Sequence, residues 1–337
     1  AFTIGQSIDD EAPEGASAKK VTTGRRKPAY SGGLVLEPKK GFYDRIVLLL
    51  DFNSLYPSII QEYNICLTTV ERGGENFKEK SEEVSEGDVV PPVPDSALPQ
   101  GVLPRILKTL VERRRAVKSM MKKDSKLTAS QMASLNIRQQ ALKLTANSMY
   151  GCLGFSHSRF YAKPLAILIT SKGREILQNT VNLTREACQS DVIYGDTDSI
   201  MVNTRSNSLQ EARALGQKIK KAVNERYRLL EIELDGIFQK LLLLKKKKYA
   251  ALVVEEEKID GSVTTRLETK GLDLVRRDWC ELSVDASTKI LDEIMKGDGS
   301  GEEVAQRIHE SLRKVAKDLE ESKIPLEKFI ISKVNRI

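Results

Sequence analysis

Ile46-Val47-Leu48-Leu49-Leu50-Asp51-Phe52-Asn53-Ser54-Leu55-Tyr56-Pro57-Ser58-Ile59 is the stretch on which the reading turns. Its apolar start predicts a buried strand, and the strand is expected to stop at a carboxylate. The pattern recurs in Val192-Ile193-Tyr194-Gly195-Asp196-Thr197-Asp198-Ser199. A carboxylate at the end of a buried strand loses hydration and repels any second carboxylate beside it, so it needs compensation. Magnesium supplies that compensation, because it prefers oxygen ligands and is held by one or two carboxylates plus substrate phosphates. Either aspartate alone reads equally well as a turn residue, since Gly-Asp is ordinary turn chemistry. Two such segments, with a separate basic cluster suited to a triphosphate, favour the metal.

That basic cluster lies between the two acidic segments. Residues 101–150 hold eleven Lys/Arg against two acidic residues, a net +9, whereas the whole chain carries +7. One segment therefore contains the entire excess, which points to a polyanion partner. Two helices are expected there. The first spans 103–123, with Ile106, Leu110, Val117 and Met121 on one face and Arg114, Lys118 and Lys122 as a basic stripe on another. The second begins with a capping-box pattern at Thr128 and Gln131 and runs to Tyr150, with Gly151 as a C-terminal cap. Joined by a short polar turn, the two are expected to be antiparallel neighbours. Lys143, Asn147 and Tyr150 then share one face, with Arg114 and Lys118 opposite them. A solvated charged helix explains the stripe but not the company of Asn147 and Tyr150.

Around these motifs the order of elements predicts an α+β fold, a sheet interrupted by a helical hairpin and followed by more helix. One strand is expected over Gly41–Leu50 and a helix from Tyr56-Pro57. Residues 71–100 are acidic and proline-punctuated, a surface excursion. Beyond Pro164 a helix of about 20 residues leads into a Val192–Val202 hairpin. Another helix, 208–226, carries Ala212, Leu215, Ile219 and Val223, and residues 229–269 turn like a small antiparallel sheet. From about 271 the pattern is helical again, through Val304, Ile308, Leu312, Val315 and Leu319. Residues 1–30 read as linker, in which Lys19-Lys20 and Arg25-Arg26-Lys27 are either an import signal or solvated basic residues.

Composition removes several classes. Hydrophobic residues make up 40% of 337, enough for real cores. No apolar run approaches the roughly 20 residues a membrane span needs. Cys66, Cys152, Cys188 and Cys280 are far apart and only two histidines are present, which argues against zinc and a disulfide framework. An intracellular, reduced protein is expected. Lys245-Lys246-Lys247-Lys248-Tyr249 after an apolar run suits salt-sensitive phosphate contacts, although lysines also deter edge pairing. Arg276-Arg277-Asp278-Trp279 is either a second phosphate contact or an Arg–Asp pair packed on Trp279.

These residues together resemble the family B DNA polymerases, most closely their eukaryotic alpha branch. The first acidic segment matches DxxSLYPSI, Lys143 to Gly151 matches KxxxNSxYG, and Tyr194 to Ser199 matches YGDTDS. Lys247-Lys248-Tyr249 fits KxY, and Lys270-Gly271-Leu272 with Arg276-Arg277 resembles the start of the family's thumb. The motifs occur in the family's order over about residues 30–330.

The resemblance implies a 1–30 linker, palm over 31–100 and 159–267, fingers over 101–158, and a partial thumb over 268–337. It implies Asp51, Asp198 and the Phe52 carbonyl as ligands of two Mg²⁺ ions, with Asp196 nearby. Ser54, Leu55, Arg114 (or Arg113), Lys118, Lys143 and Asn147 would hold the dNTP. Tyr56 would lie under its sugar, and Tyr150 would line the nascent base pair. Lys247, Lys248, Tyr249, Lys270, Gly271, Arg276 and Arg277 would contact DNA. Primer–template DNA or an RNA–DNA hybrid, a nuclear location, and primase and accessory subunits of a parent complex are further implications. The exonuclease, amino-terminal and cysteine-rich carboxy-terminal regions of the family are expected to lie outside this chain. A metal-dependent phosphodiesterase, or a catalytically incompetent DNA-binding fragment, are the alternative readings.

Overall fold

A computed structural model describes residues 30–70, 90–123, 127–257, 263–272, 274, 279–297 and 299–331. Seven strands form one antiparallel sheet among them. They are β1 (Gly41–Tyr43), β2 (Val47–Phe52), β3 (Asp191–Asp196), β4 (Ser199–Asn203), β5 (Ile232–Lys245), β6 (Lys248–Glu257) and β7 (Val263–Lys270). The order is β3-β4-β2-β5-β6-β7, with β1 added beside β5. The expected strand over Gly41–Leu50 is thus two strands. Asp44, Arg45 and Ile46 interrupt it, and β1 pairs with Leu241–Leu243 while β2 pairs with β4 and β5. The antiparallel turns expected over 229–269 are β5, β6 and β7, and they continue the same sheet, because β5 runs 14 residues and is also bonded to β2.

Strand alternation decides what each side of β2 touches. Leu48, Leu50 and Phe52 enter the main core with Ile59, Ile60, Leu165, Ile169, Ile219 and Val223. Those partners come from α1 (Leu55–Glu62), α4 (Lys163–Cys188) and α5 (Leu209–Asn224). Val47 and Leu49 face the other way, towards Ile193, Tyr194, Met201 and Phe238. Asp51 has the parity of Val47 and Leu49, so it faces away from the helices. It is also not the last residue of its strand, since β2 continues to Phe52.

The helical hairpin comprises α2 (Val102–Lys123) and α3 (Ala129–Gly154), packed against each other. Thr128 and Gln131 form the expected capping box. At the other end α3 runs on through Gly151 to Gly154, so Gly151 is not its cap. Leu107 and Val117 are the buried apolar residues of α2, and Ile106 is exposed. Arg114 is partly buried between them rather than on a separate solvated face. Two further helices, α6 (Glu281–Lys296) and α7 (Gly301–Glu320), pack together, and α7 buries no residue. Among the described residues no helix is long and apolar enough to cross a membrane. The linker, most of the 71–100 excursion, Arg276 and Arg277 lie outside the described residues.

Candidate active site

Pairing of β2 with β4 sets Asp51 opposite Ser199, and the Phe52 amide donates to the Asp198 carbonyl at 2.8 Å. The 146 residues of chain between Asp51 and Asp198 are thereby closed into direct contact of two strand ends. Asp198 sits in the two-residue turn between β3 and β4, whose first member, Thr197, has φ +61°. Left-handed backbone at a threonine is uncommon and costs about 1–2 kcal/mol. Two more such residues border the site: Ser54 at φ 51°, which begins α1, and Lys247 at φ 61°, in the β5–β6 turn. Strained turns of this kind cluster where side chains must be aimed.

A cleft of about 450 Å³ opens on the helix-free face of the sheet, lined by Asp51, Asp196, Asp198, Asp235, Lys247, Tyr249, Lys270 and Gly271 among others. Four carboxylates and two lysines therefore converge there. Burial, then the neighbouring Asp198 and Asp235, push the Asp51 carboxyl up to about 7, and Lys143 opposes the shift. Asp198 is also raised, chiefly by burial and by Asp196, against its own backbone amide, Lys143 and Lys247. Lys143 thus acts on both aspartates. Asp196 is differently engaged, because Lys247 Nζ donates to its two carboxylate oxygens at 2.6 and 2.7 Å. The Lys247 backbone amide donates to Tyr194 Oη at 2.8 Å, which pins the lysine turn over β3.

Gly271 explains how β7 closes this wall. Its φ is +60°, and a Cβ there would lie 2.1 Å from the Lys247 carbonyl oxygen, so only glycine allows the approach. Tyr249 is buried behind the wall, tilted against Phe238, and burial raises its phenol. Lys248 is only partly exposed beside it.

The basic hairpin meets the first acidic segment at Ser54. Arg114 Nη1 donates to Ser54 Oγ at 3.2 Å and its Nε to Gln139 Oε1 at 3.4 Å. Desolvation lowers the Arg114 pKa. For Lys118 desolvation comes first, then the positive charges of Arg114, Lys122 and Lys143. Tyr56 from α1 stacks on Tyr150 from α3, centroids 4.3 Å apart and planes 27° from parallel. Burial and Asp198 push the Tyr56 phenol up to about 12. Asn147 and Lys143 are exposed on the same stretch of α3. Leu55 is buried under this junction.

Sequence reasoning missed Asp235. The β2–β5 register skips between Leu49, paired with Gly236, and Leu50, paired with Leu234, so Asp235 is the bulged residue. A bulge re-aims a side chain beside a site, and the Asp235-Gly236 pair inside a strand was the available signal. The Lys247–Asp196 pair was also illegible, because it joins turns 51 residues apart.

The donors suit a hard divalent cation: Asp51 and Asp198 are oxygen ligands whose mutual repulsion such an ion would relieve. Among the described residues no cluster of three or more His, Cys, Asp and Glu forms a site complete in itself.

Comparison with known proteins gives the same direction. Over 329 residues the chain is 51% identical to the DNA polymerase alpha catalytic subunit of Mus musculus, covering 97% of this chain and 22% of the mouse protein. It is 54% identical over 327 residues to the Oryza sativa subsp. japonica protein of that name, covering 97% and 20%. The Xenopus laevis protein of the same name is 50% identical over 327 residues, covering 97% and 22%. The chain thus spans about a fifth of the length of these relatives. The DNA polymerase family B model matches residues 11–336, a range holding both acidic turns and the basic hairpin, and the chain belongs to DNA polymerase family B.

Proposed function

We propose that this chain is the polymerising core of a template-directed DNA polymerase, adding deoxynucleotides from dNTPs to a primer 3′-hydroxyl. The observation that carries this is the meeting of the two acidic segments with a cation of the α2–α3 hairpin: the Phe52 amide donates to the Asp198 carbonyl at 2.8 Å, and Arg114 donates to Ser54 at 3.2 Å. A nuclease needs the carboxylates but leaves that cation and its hairpin without a purpose. In this reading the sheet with α1, α4 and α5 is the palm, α2 and α3 are the fingers, and α6 and α7 begin the thumb.

Asp51, Asp198 and the Phe52 carbonyl would hold two Mg²⁺ ions. Bound there, such ions lower the pKa of the attacking hydroxyl and neutralise charge on the phosphates. The protein's own part is positioning and electrostatics. Arg114, fixed by Ser54, and Lys118, Lys143 and Asn147 present donors to the triphosphate, and the backbone of Ser54 and Leu55 closes on it from below. Tyr56 supports the sugar and leaves no room for a 2′-hydroxyl, and Tyr150 holds Tyr56 while lining the nascent base pair. Lys247, Lys248, Tyr249, Lys270 and Gly271 follow the primer–template, DNA or an RNA–DNA hybrid. The alpha-type relatives extend the proposal to initiation of nuclear replication, alongside primase and accessory subunits. Arg276 and Arg277 stay as proposed DNA contacts on sequence grounds.

The test is primer extension with Mg²⁺ and dNTPs by the full-length polymerase and its Asp198→Asn variant. The variant is expected to lose at least about 10³-fold in kcat with primer–template affinity retained. Normal extension by it would overturn the assignment.

A further inference from the structure

Tyr56 is held on three sides, and two of those sides belong to residues with no part in the chemistry above. Gly173 lies buried in the middle of α4, where glycine serves the helix itself less well than alanine. A Cβ at that position would lie 3.3 Å from Tyr56 Cε1, 3.7 Å from Ile59 Cδ1 and 3.9 Å from Leu55 Cδ2. The tightest of these contacts is with the tyrosine ring. The next residue, Arg174, donates Nη1 to the carbonyls of Ser31 at 3.1 Å and Gly32 at 2.8 Å. That clamp holds Gly33 against the ring's far end, where a Cβ would be 3.0 Å from Tyr56 Oη and 2.9 Å from the Thr197 side chain. Tyr150 stacks on the third side.

We propose that Gly173 and Arg174 are positioning residues for selection of the nucleotide sugar, acting through Tyr56. The inference rests on the reading of Tyr56 as the surface beneath that sugar. Helix α4 is anchored in the core by Leu165, Ile169, Ile176 and Leu177, so its backbone cannot retreat. A methyl group at Gly173 therefore displaces the ring by a few tenths of an ångström away from α4, which in the proposed reading is towards the sugar. Loss of the Arg174 clamp does the opposite, freeing the segment that stops the hydroxyl end. Gly173 sets the height of the ring and Arg174 its stop.

The experiment compares kcat and KM for dATP and ATP on one primer–template, using the full-length polymerase. The variants are Gly173→Ala, Arg174→Ala, Tyr56→Ala and each of the first two combined with Tyr56→Ala. Gly173→Ala is expected to raise KM for dATP about five-fold with kcat within about two-fold, and Arg174→Ala to reduce dATP/ATP selectivity about ten-fold. Both effects vanish when Tyr56 is alanine, because the group they act on is gone. Should Gly173→Ala alone fold poorly, the double variant regains wild-type thermal stability, since the methyl then occupies space left by the ring. Equal effects with and without the tyrosine side chain would reduce both residues to structural parts and sink the proposal. So would wild-type KM and selectivity in both single variants. If Tyr56→Ala itself keeps wild-type selectivity, the gate reading fails and takes this inference with it. Relaxed selectivity there without coupling defeats the inference alone.

Discussion

At Asp51, burial and two neighbouring carboxylates have moved an ordinary acid to about 7. The ion-free folded chain therefore keeps a proton that an unfolded Asp51 gives up near pH 4, between about pH 4 and pH 7. Ionised Asp51 is the destabilised form, so its contribution to stability falls as pH rises through that window. A divalent ion reverses the balance by binding only the ionised form. Mg²⁺ affinity is expected to rise from about pH 5.5 to pH 7.5 and then level, with proton release on binding. Calorimetric titration in buffers of different ionisation enthalpy measures it, as the difference between wild type and Asp51→Asn. A difference flat across that range would refute the coupling. Lys143 belongs to the same scale. Lys143→Ala should lower kcat/KM for dNTPs by at least about ten-fold while changing primer–template Kd less than about two-fold. A defect confined to DNA affinity would contradict its proposed role at the triphosphate.

Among elements, the root of the α2–α3 hairpin decides where the basic face points. Asn64, at φ 51°, accepts the Gly101 amide on Oδ1 at 2.8 Å and donates Nδ2 to the Pro99 carbonyl at 3.1 Å. Cys66 Sγ accepts the Leu103 amide at 3.3 Å, satisfying a donor of the first turn of α2. A Cβ on Gly101 would come within 2.5 Å of Cys66 Cβ, so the joint has no slack. Arg114 is twelve residues along, about 18 Å by helical rise, and a small tilt at the root becomes a large one at the guanidinium. Asn64→Ala is expected to remove about 1–3 kcal/mol of local stability. Hydrogen exchange of the amides at 101–106 should accelerate accordingly, and unchanged protection would show that the joint does not depend on Asn64. The extent of this helix was legible, and so was most of its inward face, through Leu110 and Val117, but not the choice between Ile106 and Leu107. Ile106 and Leu107 are neighbours 100° apart, and only packing against α1 and α3 makes Leu107 the buried one. The C-terminal end of α3 was misread for a related reason. Gly151 permits a stop, but tertiary contacts from Met149, Tyr150 and Leu153 carry the helix past it.

For the molecule as a whole, charge is arranged as an acidic centre between two basic borders. One border is α2 and α3. The other is the β5–β6 turn with Lys270, brought to the cleft by the long β5 and by Gly271. A polyanion can thus be gripped on both sides of carboxylates that would repel it without cations. Lys247→Ala should weaken DNA binding about equally on all sequences and reduce the slope of log Kd against log salt by about one. Anisotropy titrations over a salt series test this, and an unchanged slope would leave Lys247 as only the partner of Asp196.

By itself the sequence determined most of the chemical groups at the candidate site and their order along the chain. Carboxylates after apolar runs and a capped basic helix are local patterns, set by hydration and helical spacing, and they are readable without a fold. The tertiary structure alone decided the register that lays Asp51 opposite Ser199, the bulge that turns Asp235 into the cleft, and the placing of Gly173 against Tyr56. These depend on which strand or helix becomes the neighbour, and that choice is made by burying the whole core at once. No window of sequence contains it.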